Sequence, residues 1–188
     1  MSSRIPEIDR SDLNEEQARI YDAVLASRGN VWGPFRTWLH SPELADRAQK
    51  LGEFLRFQTS LHPRLSELAI LVTARFWDCQ LEWSLHEPVA RDTDLGPAVI
   101  EAIRLGQYPE FERGDEQLVY DFVSELLYNR FVQDRTFVGI ADELGDSGAV
   151  ELAGIVGYYS MVAMTLNAFQ VPLPDEVQAT LVDCPTFR

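Results

Sequence analysis

Cysteine is scarce in this chain of 188 residues, with Cys79 and Cys184 as the whole supply. A pair of thiols gives no disulfide framework of the kind that staples small secreted domains, and the first residues, Met1 to Glu7, hold no apolar signal core. A reducing cytoplasm is the expected compartment. Basic charge is also short: 16 Lys and Arg stand against 30 Asp and Glu, a net charge of -14. A surface of that sign repels nucleic acid and anionic lipid, so neither is expected as a partner. Long apolar runs are missing but for Leu152 to Phe169. That stretch falls short of the roughly 20 residues that span a bilayer, lacks basic flanks, and contains Gly154, Gly157, Ser160, Thr165 and Asn167. It is expected to be a buried central helix or a subunit-interface helix, not a membrane span.

What is present is helical periodicity. The 46% apolar content suffices for one packed core, and residues 1–188 are read as a single domain. Asn14 with Gln17 resembles a capping box, followed by a first helix that Gly29 stops. Gly29 to His40 reads as a loop that packs its own aromatics, Trp32, Phe35 and Trp38, or equally as one that lines a pocket. Ser41-Pro42-Glu43 starts a second helix whose expected apolar face is Leu44, Ala48, Leu51 and Leu55. Pro63 opens a third, with Leu65, Leu68, Ala69, Val72 and Phe76 as its buried stripe and Glu67 in the first turn on another face. Asp78 is the expected cap of the next helix, which Pro88 is expected to kink after His86. Pro97 to Leu105 and Asp115 to Phe131 follow, then a short helix from Asp134 to Gly145 and the late apolar helix, about 147–169, closed by Pro172 and Pro174. No strand pattern remains, and the fold class is an all-α, single-domain helical bundle.

The chemistry concentrates in Cys79, Glu82 and His86. Spacings of three and four residues stack a thiol, a carboxylate and an imidazole on one helical face. At the start of its helix, Cys79 would feel free amides and a positive dipole end that favour a thiolate. Glu82 and His86 can also bind a metal from one turn, but no recognised spacing supplies a third ligand from Glu67, Cys79, His40 or His62. The plainer readings are a core histidine for His86, a small buried hydrophobe for Cys79 and helix-entrance roles for His40 and His62. Cys184 has no assigned role.

The runs Pro63-Arg64-Leu65-Ser66-Glu67-Leu68-Ala69 and Cys79-Gln80-Leu81-Glu82-Trp83-Ser84-Leu85-His86, with Leu39 to Leu44 upstream, resemble the carboxymuconolactone decarboxylase superfamily, which includes the alkylhydroperoxidase D-like proteins. The resemblance is densest over residues 39–106 and implies an oligomeric alkylhydroperoxidase D-like bundle. Its peroxidase branch carries a glutamate, a cysteine twelve residues on, a second cysteine three later and a histidine four after that. Glu67, Cys79 and His86 match, while Glu82 replaces the second cysteine and so removes a resolving thiol. The leading expectation is therefore a lyase of the decarboxylase type, without metal or organic cofactor, acting on a small carboxylated or lactone-like molecule. In it Glu67 and His86 form the acid-base pair, Glu82 polarises His86 or replaces it as base, Cys79 lines the pocket, and Trp83 contacts substrate. A single-cysteine thiol peroxidase using Cys79 is the alternative, and a non-catalytic binding protein a third. A homo-oligomer is expected, a dimer first, because the late helix carries more apolar surface than one bundle face needs.

Overall fold

Side chains start and stop the first helix. In the computed structural model, which describes residues 3–184, Asn14 accepts from the Gln17 amide and Gln17 from the Asn14 amide. The helix α1 (Glu15–Arg28) ends where Gly29 turns left-handed at φ 74°. The stretch expected to be a loop contains a short helix, α2 (Pro34–Trp38), because Gly33 at φ 63° turns the chain and Pro34 fits the first helical turn. Its aromatics do pack together, Phe35 and Trp38 edge to face at 5.5 Å.

The second expected helix forms as α3 (Pro42–Phe57), but its buried face differs from the one its leucines suggest. Leu44 and Leu51 are 44% and 49% exposed, and the helix buries Ala45, Ala48, Gln49, Gly52 and Leu55 instead. The reason is close approach. Any side chain at Gly52 would overlap the hydroxyl of Tyr158, so the small face of α3 is the one that receives the last helix.

The helix α4 (Pro63–Phe76) is buried around its whole circumference from Arg64 to Ala74, Glu67 included, and not along one stripe. Glu67 also lies beyond the first turn, which contains no acidic residue. Packed against α4 are α5 (Gln80–Arg91), α6 (Pro97–Arg104), α7 (Gly114–Ser124) and α8 (Asp134–Phe169), the position that an all-round apolar helix requires. Arg64 ties α4 to α7 through Asp115 at 2.6 Å and Glu116 at 2.8 Å. With Arg64 and Glu116 almost fully buried, losing one partner of this network would cost about 3–5 kcal/mol.

Beyond Ser124, α7 widens into a π-helical turn, Glu125–Asn129, that ends at left-handed Arg130. In α8 two helical stretches meet at Gly145, whose φ 68° and ψ 173° are not helical, at the boundary expected from the sequence. The element is 36 residues long and apolar enough by length and composition to cross a bilayer, yet 56% of its most apolar window is buried within the molecule. Contacts with α4, α7 and α3 make it a core helix. No strand occurs among the described residues.

Candidate functional site

The turn between α4 and α5 builds the site. Asp78 adopts φ 48°, so Cys79 takes the cap position expected for Asp78, and its amide reaches back to the Ala74 carbonyl at 2.9 Å. This reversal lays α5 along α4 and brings residues 19 apart in sequence together: His86 Nδ1 lies 2.8 Å from Glu67 Oε2, both side chains buried. A carboxylate has no proton to give, so a Glu67 carboxylate takes the hydrogen bond from Nδ1–H, the tautomer that leaves Nε2 as the acceptor. Nε2 makes no hydrogen bond among the described residues, and His86 lines a cavity of about 270 Å³. The Tyr159 ring, edge to face at 5.0 Å, fixes the other side of the imidazole. The helix continues through Pro88 to Arg91, so the proline falls beyond the site.

Glu82 enters the same cavity one turn before His86. It is 2% exposed, and neither carboxyl oxygen meets an N–H or O–H donor; the Cys79 thiol is the weak donor beside it. Burial pushes its carboxyl well above the ordinary value of 4.5, against a smaller opposing influence of the adjacent Cys79 thiol. The group is thus a neutral acid at pH values where surface glutamates are charged. An unsatisfied buried polar group costs about 1–3 kcal/mol, the kind of expense that concentrates at functional sites. Tyr158 and Tyr159 add hydroxyls from α8. The Tyr158 hydroxyl is pushed up to about 12, chiefly by burial, and that of Tyr159 also rises for the same reason. Both stay protonated and can donate. Trp32, Pro34 and Phe35 form an apolar wall, so the segment read either as self-packing or as pocket-lining does line the cavity.

Two expected pocket residues stand elsewhere. Cys79 is 1% exposed and borders a separate small void beside Asn167 and Leu173. Its thiol is pushed well above its ordinary range, first by burial and then by the Glu82 carboxyl, so desolvation overrides the helix-start effect that favours a thiolate. Trp83 is fully buried and donates its indole N–H to Glu87 Oε2 at 3.0 Å, which makes it a core residue and not a substrate contact. Position 82 faces the cavity and position 79 does not, so the cavity lining carries a carboxyl and no thiol.

His40 and His62 fill the structural roles expected of them. His62 accepts from the Arg64 amide at the start of α4, and His40 Nε2 lies 2.8 Å from the Pro6 carbonyl. No three His, Cys, Asp or Glu side chains among the described residues stand close enough to hold a metal ion. The cavity also takes residues that the sequence reading passed over: Arg28, Arg56, Tyr158 and Tyr159. For the tyrosines a signal existed, two adjacent hydroxyls within an otherwise charge-free helix. The arginines gave none, because their meeting depends on how α1 and α3 cross.

No family model matches the chain, and no curated protein matches it in sequence. Solved structures do match its fold. One is an alkylhydroperoxidase AhpD core, an uncharacterized peroxidase-related protein from Ralstonia eutropha JMP134, with TM-score 0.77 and 17% identity over 94% of each chain. A complex of the debrominase Bmp8, in a cysteine-to-alanine variant, with 2,3,4-tribromopyrrole matches with TM-score 0.74 and 15% identity, over 93% of this chain and 94% of that one. An uncharacterized peroxidase-related protein from Silicibacter sp. TM1040 follows with TM-score 0.70 and 15% identity, over 97% of this chain and 93% of its own. The chain therefore has the alkylhydroperoxidase D-like fold, as a single all-helical domain.

Proposed function

We propose that this protein is an acid-base enzyme of the decarboxylase type, acting without metal or organic cofactor on a small carboxylated molecule bound in the 270 Å³ cavity. The observation that carries the reading is the pairing of Glu82, a buried carboxyl that burial drives toward its protonated form and whose oxygens meet no N–H or O–H donor, with the open Nε2 of His86 one helical turn away. One group gives a proton and the other takes one, at a single cavity wall. Glu67 is the positioning residue: it fixes the tautomer and orientation of His86 and stabilises the imidazolium when Nε2 is protonated. When carbon dioxide leaves, the electron pair of the broken bond passes into the neighbouring carbonyl as an enolate. The tyrosine hydroxyls and the Glu82 acid stabilise its oxygen, Glu82 delivers the proton to carbon, and a proton taken up from solvent at His86 Nε2 is passed on to the Glu82 carboxylate, so that one solvent proton is consumed for each carbon dioxide released. Cys79 takes no part.

A second reading, thiol chemistry, draws support from the peroxidase-related and debrominase proteins of the same fold. The burial of Cys79, its raised thiol pKa and its separation from the cavity weigh against that reading. The test is a panel of carboxylated lactones and β-keto acids, with carbon dioxide release measured for the wild-type protein and its variants. Glu82→Gln and His86→Gln are expected to lower turnover about 10²- to 10⁴-fold, the span of general acid-base catalysis, and Cys79→Ser to leave it within a few-fold. Hydroperoxide consumption with dithiothreitol that disappears in Cys79→Ser and survives in His86→Gln would replace the acid-base reading with the peroxidase.

A further inference from the structure

The strangest charges in this acidic chain are two positive ones. Among 30 acidic side chains, neither Arg28 nor Arg56 makes an ion pair or a hydrogen bond among the described residues, and both line the cavity that holds Glu82 and His86. Arg28 Nε and Nη2 are buried and unpartnered. Arg28 lies instead over the Phe35 ring, 4.8 Å from its centre, and Arg56 lies 5.3 Å from the centre of the Phe57 ring. These aromatic rings hold the guanidinium groups in place without satisfying their N–H donors, which for Arg28 are buried. Arg113, Arg130 and Arg135 are unpaired too among the described residues, but they are exposed to solvent, whereas buried Arg64 and half-buried Arg75 and Arg104 each engage an acidic side chain.

Negative charge within the cavity does not offset this pair. Burial disfavours the charge of Glu82, and Glu67 is engaged by His86. Tyr158 and Tyr159 are protonated, and Glu53, whose charge also acts on Arg28, forms no ion pair with it. Tyr158 joins the arginine: its hydroxyl and Arg28 Nη2 both crowd the point where a side chain on Gly52 would begin. Glycine at position 52 keeps that corner open for them.

We propose that Arg28 and Arg56, with the Tyr158 hydroxyl, form an anion subsite that holds the carboxylate of a small organic acid whose apolar body lies against Trp32 and Phe35. This rests on the acid-base reading for what happens next, but recognition of the anion stands on the geometry alone. A planar guanidinium that is already stacked loses little freedom on binding, and its fork matches a carboxylate. Substrate selection thus belongs to α1 and α3, and chemistry to α4 and α5.

The probe is sodium benzoate, with benzamide as its uncharged counterpart, measured by calorimetry or by fluorescence of Trp32 at constant ionic strength. Benzoate is expected to bind the wild-type protein at least about tenfold more tightly than benzamide, the scale of a hydrogen bond to a charged group. Arg28→Gln and Arg56→Gln should each weaken benzoate by a similar factor and leave benzamide unchanged. Arg28→Lys should fall between, because charge is kept and the fork is lost. Arg47→Gln, which removes the same charge from an exposed pair with Glu43, should bind as the wild type does. Circular dichroism checks that each variant is folded; if Arg28→Gln does not fold, Arg28→Lys and Arg56→Gln decide. Absence of benzoate binding, equal binding of benzamide, or affinity indifferent to these substitutions would overturn the proposal. Equilibrium binding involves no turnover, so a failure here is distinct from a failure of the acid-base reading, which would show as unchanged turnover in Glu82→Gln.

Discussion

At the scale of the residue, the site turns on which group faces the cavity. The Glu82 carboxyl does, and the Cys79 thiol is walled off at 1% exposure. The glutamate has no cationic partner, so desolvation decides its protonation. Stability follows from the same fact. Because the folded-state pKa of Glu82 is raised, its contribution is fully present below the unfolded value, near 4.5, and is lost as pH rises through the folded value. In that window the unfolded chain gains by ionising, at about 1.4 kcal/mol per pH unit. Glu82→Gln removes the titration. Its stability relative to the wild type is expected to be level below pH 4.5 and to improve steadily above it, as read by urea unfolding at a series of pH values. A difference independent of pH would mean that Glu82 ionises normally in the folded protein.

At the scale of the element, the local signals were the legible ones. The capping box of α1, the proline starts of α3, α4 and α6 and the break at Gly145 depend on residues a few positions apart, and all of them stand where the sequence puts them. The faces were less legible. Leucine spacing on α3 points to Leu44 and Leu51, but an approach as close as that of Tyr158 to Gly52 selects the small residues, and leucines are left outside. The candidate site divides in the same way. Glu67, Glu82 and His86 were visible through their spacing, and they meet because a three-residue turn folds α5 onto α4. Cys79 shares that spacing and still misses the cavity, because at the cap its side chain turns toward α8. Trp83 was drawn toward the site by adjacency alone, and successive positions on a helix point 100° apart. Arg28 and Arg56 come from helices with no motif and could be found only in three dimensions.

At the scale of the molecule, charge is arranged against expectation. A chain of net charge -14 keeps two unpaired arginines, Arg28 and Arg56, against one cavity, so the field that repels polyanions outside differs from the one a small anion would meet within. The outer side of α8 has a different character. Val150 is 73% and Met164 46% exposed, and a side chain at Gly157 would meet open space. We propose that a second copy of the chain covers this side. Light scattering at micromolar concentration is expected to give the mass of a dimer, and Val150→Lys to shift it toward the monomer; a monomer mass for the unaltered chain would refute the assembly.

The central claim is that the cavity presents a proton on Glu82 rather than a thiol, and infrared spectroscopy tests it most directly. At pH 7 the wild-type protein is expected to show the carbonyl stretch of a protonated carboxylic acid, shifted on transfer to deuterium oxide. That band should be absent in Glu82→Gln, retained in Cys79→Ser and perturbed by benzoate. A spectrum at pH 7 without that band, or one in which it survives Glu82→Gln, would contradict the account.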